Sequence, residues 1–219
     1  MSLQATLFDM DGLLLDSETL WHKAEVEIFG SLGVPIADAE GRSTKGMFVN
    51  EVVDFWYSTY PWSGPTTLDV VGLLLSRVGD LVESEGRLLP GAIKALDMTG
   101  ERGPLALASS TPMALILRCL EHFELLDRFS SIHSAEFEQY GKPHPGVFLT
   151  AASALDVAPS ACLVLEDSAA GVLSAKAARM TVIAVPTHDD RDHTEFLLAD
   201  LVLDSLEDLA PSWLEERFA

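Results

Sequence analysis

Ala5-Thr6-Leu7-Phe8-Asp9-Met10-Asp11-Gly12, residues 5–12, is the stretch on which the fold turns. A short apolar run of β type that ends in acid reads as a buried strand with carboxylates at its carboxyl end. In an extended segment residues i and i+2 point to the same side, so Asp9 and Asp11 are expected to converge on one site. Two close carboxylates repel unless a proton or a cation intervenes, and an oxygen-liganded divalent ion such as Mg²⁺ relieves the repulsion. D-x-D-G alone also occurs in solvated loops, so the motif needs support from the rest of the chain. An EF-hand loop is excluded, because Gly12 comes two positions early and Leu20 stands where the bidentate Glu belongs.

Further apolar runs lie at 105–108, 162–165 and 181–185, with weaker ones near 132 and at 201–203. Helical patterns separate them. One covers 93–98, with Ile93 and Met98 at its ends. Thr111-Pro112 offers an N-cap and a first-turn proline ahead of Leu115, Ile116 and Leu120. Pro145 opens a third helix with Val147, Phe148, Ala151, Ala152 and Leu155 on one face, and Asp167 or Ser168 caps a fourth running to about 178. Strands alternating with helices predict an α/β fold with a doubly wound parallel sheet. Between the first strand and about residue 87 the period is helical throughout. Leu20, Trp21, Ala24 and Ile28 form one stripe; Val49, Val52, Val53, Trp56 and Tyr60 a second; Leu68, Val71, Leu74, Leu75, Val78 and Val82 a third. An insertion placed there overlies the carboxyl edge of the sheet, where open α/β sheets bind ligands. The expected division is a core of residues 1–15 and 84–219 and an inserted all-helical cap of 16–83.

At 219 residues the chain has room for one core with such an insertion. Its 14 basic and 34 acidic residues leave a formal charge of −20, which argues against a nucleic-acid partner or an anionic membrane surface. No apolar run reaches membrane-spanning length and no signal-type segment opens the chain, so a soluble, cytoplasmic monomer is expected. Cys119 and Cys162 lie among apolar neighbours and read as buried thiols.

Three more strand ends or turns carry polar groups. Ser109, Ser110 and Thr111 precede a helix start, where free N–H groups favour an anion, although an ordinary N-cap has the same sequence. Gly141-Lys142-Pro143-His144-Pro145 is a rigid turn presenting a lysine, and Glu166-Asp167 follows the 162–165 run. His188 and His193 flank the acids 189–192 in what reads as a solvated charged loop; His22 and His122 fall in helical patterns, and Trp56 and Trp62 are expected to pack inside the cap.

In order, these segments supply a carboxylate pair, a hydroxyl, a lysine and a second carboxylate pair. That sequence of groups resembles the haloacid dehalogenase superfamily, in its branch with a helical cap after strand 1, over essentially the whole chain. Phe8-Asp9-Met10-Asp11-Gly12, Asp16-Ser17-Glu18 and the stretches 53–57 and 61–65 resemble its sugar phosphatases for 2-deoxyglucose 6-phosphate and hexitol phosphates. The resemblance implies that Asp9 is the nucleophile, forming an aspartyl-phosphate, and that Asp11 is the general acid and base. It implies Mg²⁺ held by Asp9, the Asp11 carbonyl and Asp167 with Glu166 in support. Ser109, Ser110 and Lys142 would bind the phosphate of a small phosphosugar, and Lys142 would also neutralise the transferred group.

Within that resemblance a β-phosphoglucomutase-like isomerase is the rival. Its cap histidine stands twelve residues after the nucleophile, where this chain has Trp21; His22, one position on, is rotated by ~100° on a helix. A dehalogenase is disfavoured because Asp11 is present. A phosphoryl-accepting signalling receiver lacks a cap and orders its acids differently, and an inactive phosphosugar-binding protein would be expected to have lost a motif position. One departure stands out: the cap arginine found two or three residues after the glycine matching Gly46 is missing, so Arg42 or Lys45 must replace it or the substrate differs. Discrimination among sugars is expected from residues 45–50 and from Trp21.

Overall fold

The computed structural model describes residues 2–36 and 48–218. Strand β1 (Ala5–Phe8) is buried throughout, and its alternating side chains feed two separate cores. Phe8 joins Leu107, Leu163, Leu165 and Ile183 on one face; Ala5 and Leu7 join Ala106, Ala108, Val164 and Val182 on the other. A strand buried on both faces needs a layer of helices on each side, which dictates the α/β sandwich. The other strands are β2 (Leu105–Ser109), β3 (Ser131–Ser134), β4 (Cys162–Glu166), β5 (Thr181–Ala184) and β6 (Leu201–Val202). They pair in parallel in the order β3-β2-β1-β4-β5-β6, so the winding reverses at β1 and a crevice opens at its carboxyl end.

After β1 come α1 (Glu18–Ser31), α2 (Val49–Thr59) and α3 (Thr67–Glu85), the last running past the expected boundary at 83. They pack around Phe29, whose ring centre lies 6.1 Å from those of both Trp56 and Trp62. Thr66 and Asp69 form a reciprocal cap at the start of α3, with Asp69 N–H donating to the Thr66 hydroxyl (3.2 Å) and Thr66 N–H to the Asp69 carboxylate (2.9 Å). The three stripes are buried in the main, but Leu68 in the first turn of α3 is exposed and Tyr60 falls beyond the end of α2.

The chain crosses into and out of this insertion side by side. Leu15 bridges Leu88, Asp16 N–H donates to the Arg87 carbonyl (3.0 Å) and Leu89 N–H to the Leu14 carbonyl (2.9 Å). The two links, at 14–16 and 87–89, are thus hydrogen-bonded to each other. Helix α3 is also tied to the following core.

That core continues with α4 (Ala92–Gly100), α5 (Met113–His122), α6 (Gly146–Ala154), α7 (Ala169–Ala177) and α8 (Pro211–Arg217). Arg118 of α5 donates to Glu83 (2.7 and 2.8 Å), Asp80 (2.8 Å) and the Ser76 carbonyl (3.2 Å) on α3. Gly79 makes room for it, since a Cβ there would stand 2.1 Å from the guanidinium.

Local differences from the sequence reading have identifiable causes. Helix α5 starts at Met113 with Pro112 in the N-cap position, and the Met113 N–H donates to the Glu136 carboxylate (2.5 Å) instead of to a threonine. Thr111 is free for another task. Ser168, not Asp167, caps α7 by accepting from Gly171 N–H (3.0 Å). Ile93 is exposed, leaving Ala92, Ala95 and Leu96 to carry the buried face of α4. Both cysteines are buried thiols; burial above all pushes Cys119 to about 12 and Cys162 to about 11. No helix among the described residues is long and apolar enough to cross a membrane.

Candidate active site

The carboxyl ends of β1, β2 and β4 converge because the sheet is parallel. Asp9 follows β1, Ser109 ends β2, and Glu166 ends β4 with Asp167 behind it. Lys142 reaches this edge from the loop before α6. Its ammonium donates to Asp9 Oδ1 (2.6 Å), Glu166 Oε1 (2.6 Å) and the Ala108 carbonyl (3.0 Å), which uses all three of its protons. The Phe148 ring centre lies 4.8 Å away. The lysine side chain is 4% exposed and that of Glu166 0%, so this ion pair is buried.

Glu166 spends its second oxygen on Ser168, accepting from both its N–H and its hydroxyl (3.0 Å each). Gly171 has to be glycine beside it, because a Cβ would stand 1.9 Å from the carboxylate carbon. With both oxygens engaged, Glu166 fixes Lys142 rather than facing the cavity. Asp167 is 2% exposed and lines the cavity. It lies against Gly12, whose φ of +74° and missing Cβ, which would stand 2.3 Å from Asp167 Oδ2, both require glycine.

Asp11 is held differently from Asp9. Its Oδ1 accepts from the Ser17 hydroxyl (2.5 Å) and the Trp21 indole N–H (3.1 Å), and its Oδ2 accepts from the Thr111 hydroxyl (2.5 Å). Both aspartates line the cavity, but Asp11 is gripped by the start of the insertion and by Thr111. In the sequence Thr111 was legible as a helix cap or as part of an anion-binding helix start, not as a donor to Asp11, and Ser17 only as part of a motif. Trp21 lines the cavity and donates to Asp11. Ser109 is 2% exposed, and its hydroxyl oxygen accepts from Thr111 N–H (3.1 Å); Ser110 lies beside it on the cavity wall.

Burial in this apolar surround raises the Asp9 carboxyl to about 7; Lys142 opposes that rise, and Glu166 and Asp11 add to it. Burial pulls Lys142 downward, yet Asp9 and Glu166 together hold it above the ordinary lysine value.

Above these groups is a cavity of about 430 Å³. Its upper wall is Trp21, His22, Glu25, Val49, Val52 and Trp56 of the insertion. Asp189 and Asp190 reach its mouth, so the loop read as merely solvated borders the site, while His188 is almost wholly exposed. His22, read in the sequence only as part of a helical pattern, lines the cavity as well. Of residues 45–50, Val49 lines the cavity, whereas the Phe48 ring lies against Gly141. Arg42, Lys45 and Gly46 fall outside the described residues.

The residues present suit a hard divalent cation. When all are ionised, Asp9, Asp11, Glu166 and Asp167 outnumber Lys142 by three charges, a buried excess that a cation relieves. No three His, Cys, Asp or Glu side chains among the described residues are arranged to hold a metal by themselves. Mg²⁺ does not require that, since it takes one or two carboxylates, keeps waters and shares substrate phosphates.

A family model described as haloacid dehalogenase-like hydrolase matches residues 3–179. The chain is 44% identical over 207 residues to hexitol phosphatase B of Escherichia coli (strain K12), covering 94% of this chain and 93% of that protein. It superposes on β-phosphoglucomutase from Clostridium difficile with a TM-score of 0.82 and 25% identity, over 100% of this chain and 97% of that one. CbbY from Rhodobacter sphaeroides in complex with phosphate gives a TM-score of 0.79 and 25% identity, over 95% of this chain and 96% of that one.

Proposed function

The chain belongs to the haloacid dehalogenase-like hydrolases, and from that premise we propose that it is a Mg²⁺-dependent phosphatase acting on a small sugar or sugar-alcohol phosphate monoester. The observation that carries this reading is the buried Lys142 ammonium, 2.6 Å from both Asp9 and Glu166, on the floor of a cavity roofed by the helical insertion.

Lys142 holds Asp9 by Oδ1, leaving Oδ2 to attack phosphorus in line with the departing sugar oxygen. The phosphorus–oxygen bond to the sugar breaks and an aspartyl-phosphate forms on Asp9. Asp11 exchanges part of its hydrogen bonding to Ser17, Trp21 and Thr111 for the sugar oxygen and gives it a proton. It then takes a proton from water, which displaces phosphate from Asp9. Ser109 and Ser110 hold phosphate oxygens, and Lys142 balances charge on the transferred group. Asp9, the Asp11 carbonyl and Asp167 are the residues that would hold Mg²⁺, which supplies the positive charge that lets an anionic nucleophile meet an anionic phosphate.

A phosphosugar mutase is the second reading, favoured by His22 in the cavity wall beside Trp21 and by the likeness to β-phosphoglucomutase. The test is phosphate release from a panel of phosphosugars and phosphohexitols with Mg²⁺ and with EDTA. Turnover that persists in EDTA, or isomerisation without phosphate release, would remove the proposal.

A further inference from the structure

We propose that Phe48 is a positioning residue for Lys142, acting across the interface between insertion and core by seating its ring on Gly141. The proposal rests on the phosphatase reading for the reaction that Lys142 serves.

Gly141 does not have a left-handed φ, so its backbone does not call for glycine. Space does. A Cβ at 141 would stand 2.4 and 2.5 Å from two carbons of the Phe48 ring, against the 3.5 Å or so of an ordinary carbon contact. The ring therefore fills the place of a side chain on the residue directly before Lys142.

Phe48 is well braced for this. It stands at the start of α2, where its N–H donates to Glu51 (3.0 Å) and its carbonyl accepts from Val52 N–H (3.0 Å). Its side chain packs against the core cluster containing Phe148, the ring beneath the lysine ammonium. The loop it covers has little regular structure of its own; a turn bond from His144 N–H to the Gly141 carbonyl (2.9 Å) spans Lys142. A rigid helix start from the insertion thus presses on the root of a lysine whose tip must stay between two carboxylates. Phe48 is absent from the cavity wall, so it acts through the loop and not through the sugar.

The test compares wild type with Phe48→Ala, Phe48→Leu, Gly141→Ala and the Phe48→Ala/Gly141→Ala pair. Misplacing a reacting group by about 1 Å costs up to about a hundredfold, so Phe48→Ala and Gly141→Ala should each lower kcat by about tenfold or more. KM should move far less, because Lys142 meets charge that develops in transfer. Phe48→Leu, which still fills the space, should restore most of kcat. The double variant should be no slower than the worse single, because the lost ring leaves room for the added methyl. Independently of turnover, hydrogen exchange at the His144 amide should quicken in Phe48→Ala. Wild-type kcat in Phe48→Ala, additive losses in the pair, or unchanged exchange at His144 would each overturn the proposal. An absence of phosphate release from every ester by wild type would instead overturn the phosphatase reading, and the exchange measurement would still judge Phe48.

Discussion

Proton and metal should compete for Asp9, and the size of the competition follows from its burial. With the carboxyl at about 7 in the metal-free protein, about one molecule in ten has Asp9 ionised at pH 6 and about nine in ten at pH 8. Mg²⁺ requires the ionised form, so its apparent Kd should rise about tenfold for each pH unit below 7 and level off above 8. The sign for stability is the opposite of the usual carboxylate case. The folded value lies above the unfolded one of 3.8, so the contribution is present in full below about pH 4 and is lost as pH rises through 7. At about 1.4 kcal/mol per unit the metal-free protein loses at most about 4 kcal/mol across that window from this group, a loss that Mg²⁺ offsets as it binds. The assay is thermal unfolding at graded Mg²⁺ from pH 5.5 to 8.5, with Asp9→Asn as the control that lacks the titrating group. Wild type should show the tenfold slope and Asp9→Asn a flat response. A flat wild type, or a slope that survives in Asp9→Asn, would refute the placing of metal at Asp9.

Asp11→Asn keeps the backbone carbonyl, so Mg²⁺ binding should survive while kcat falls by about two to four orders of magnitude; near wild-type turnover would remove Asp11 from proton transfer. Gly12→Ala combines a left-handed residue, worth about 1–2 kcal/mol, with a methyl driven into Asp167, so unfolding and Mg²⁺ affinity should both weaken. Melting curves and metal titrations check that, and an unchanged affinity would detach Asp167 from the metal. Arg118→Met should lower the melting midpoint only slightly, since exposed ion pairs contribute about 0–1 kcal/mol each, yet should quicken hydrogen exchange along α3. Equal exchange in the two proteins would mean that Arg118 does not hold the insertion to the core.

The sheet was legible because β1 obeys a local rule. Four consecutive apolar or small residues ending in acid leave few options, and alternation then divides Phe8 from Leu7. The carboxylates and Lys142 were legible because each follows its own strand or turn. What stayed hidden depends on partners distant in sequence. Thr111 beside Pro112 has all the marks of a helix cap, and only its 2.5 Å bond to Asp11 from the far side of the insertion redirects it. Glycines showed the same limit. Gly141 reads as turn chemistry next to Pro143, whereas its reason is a phenylalanine delivered by another element. The acids 189–190 gave a solvated pattern, and solvation at a cavity mouth looks no different in sequence from solvation elsewhere.

These long-range contacts also bear on how the insertion and the chemistry are linked. A lid that only covered a finished site would touch the sugar and leave the reacting groups to the core. Here Ser17 and Trp21 donate to Asp11, and Phe48 sits on the residue before Lys142, so the insertion reaches both groups to which the proposed mechanism gives proton transfer and charge balance. Its two links to the core are hydrogen-bonded to one another, and α3 is fastened to α5 by Arg118, so the insertion has a fixed base. Phe48 and Trp21 both belong to the insertion, so any movement about that base would alter both contacts together. Trp21, which lines the cavity, therefore stands in the same network as the groups that the proposal assigns to the chemistry. On the proposed roles, altering the insertion to change substrate preference should alter kcat as well as KM, because the wall that lines the cavity also bonds Asp11 and covers the residue before Lys142.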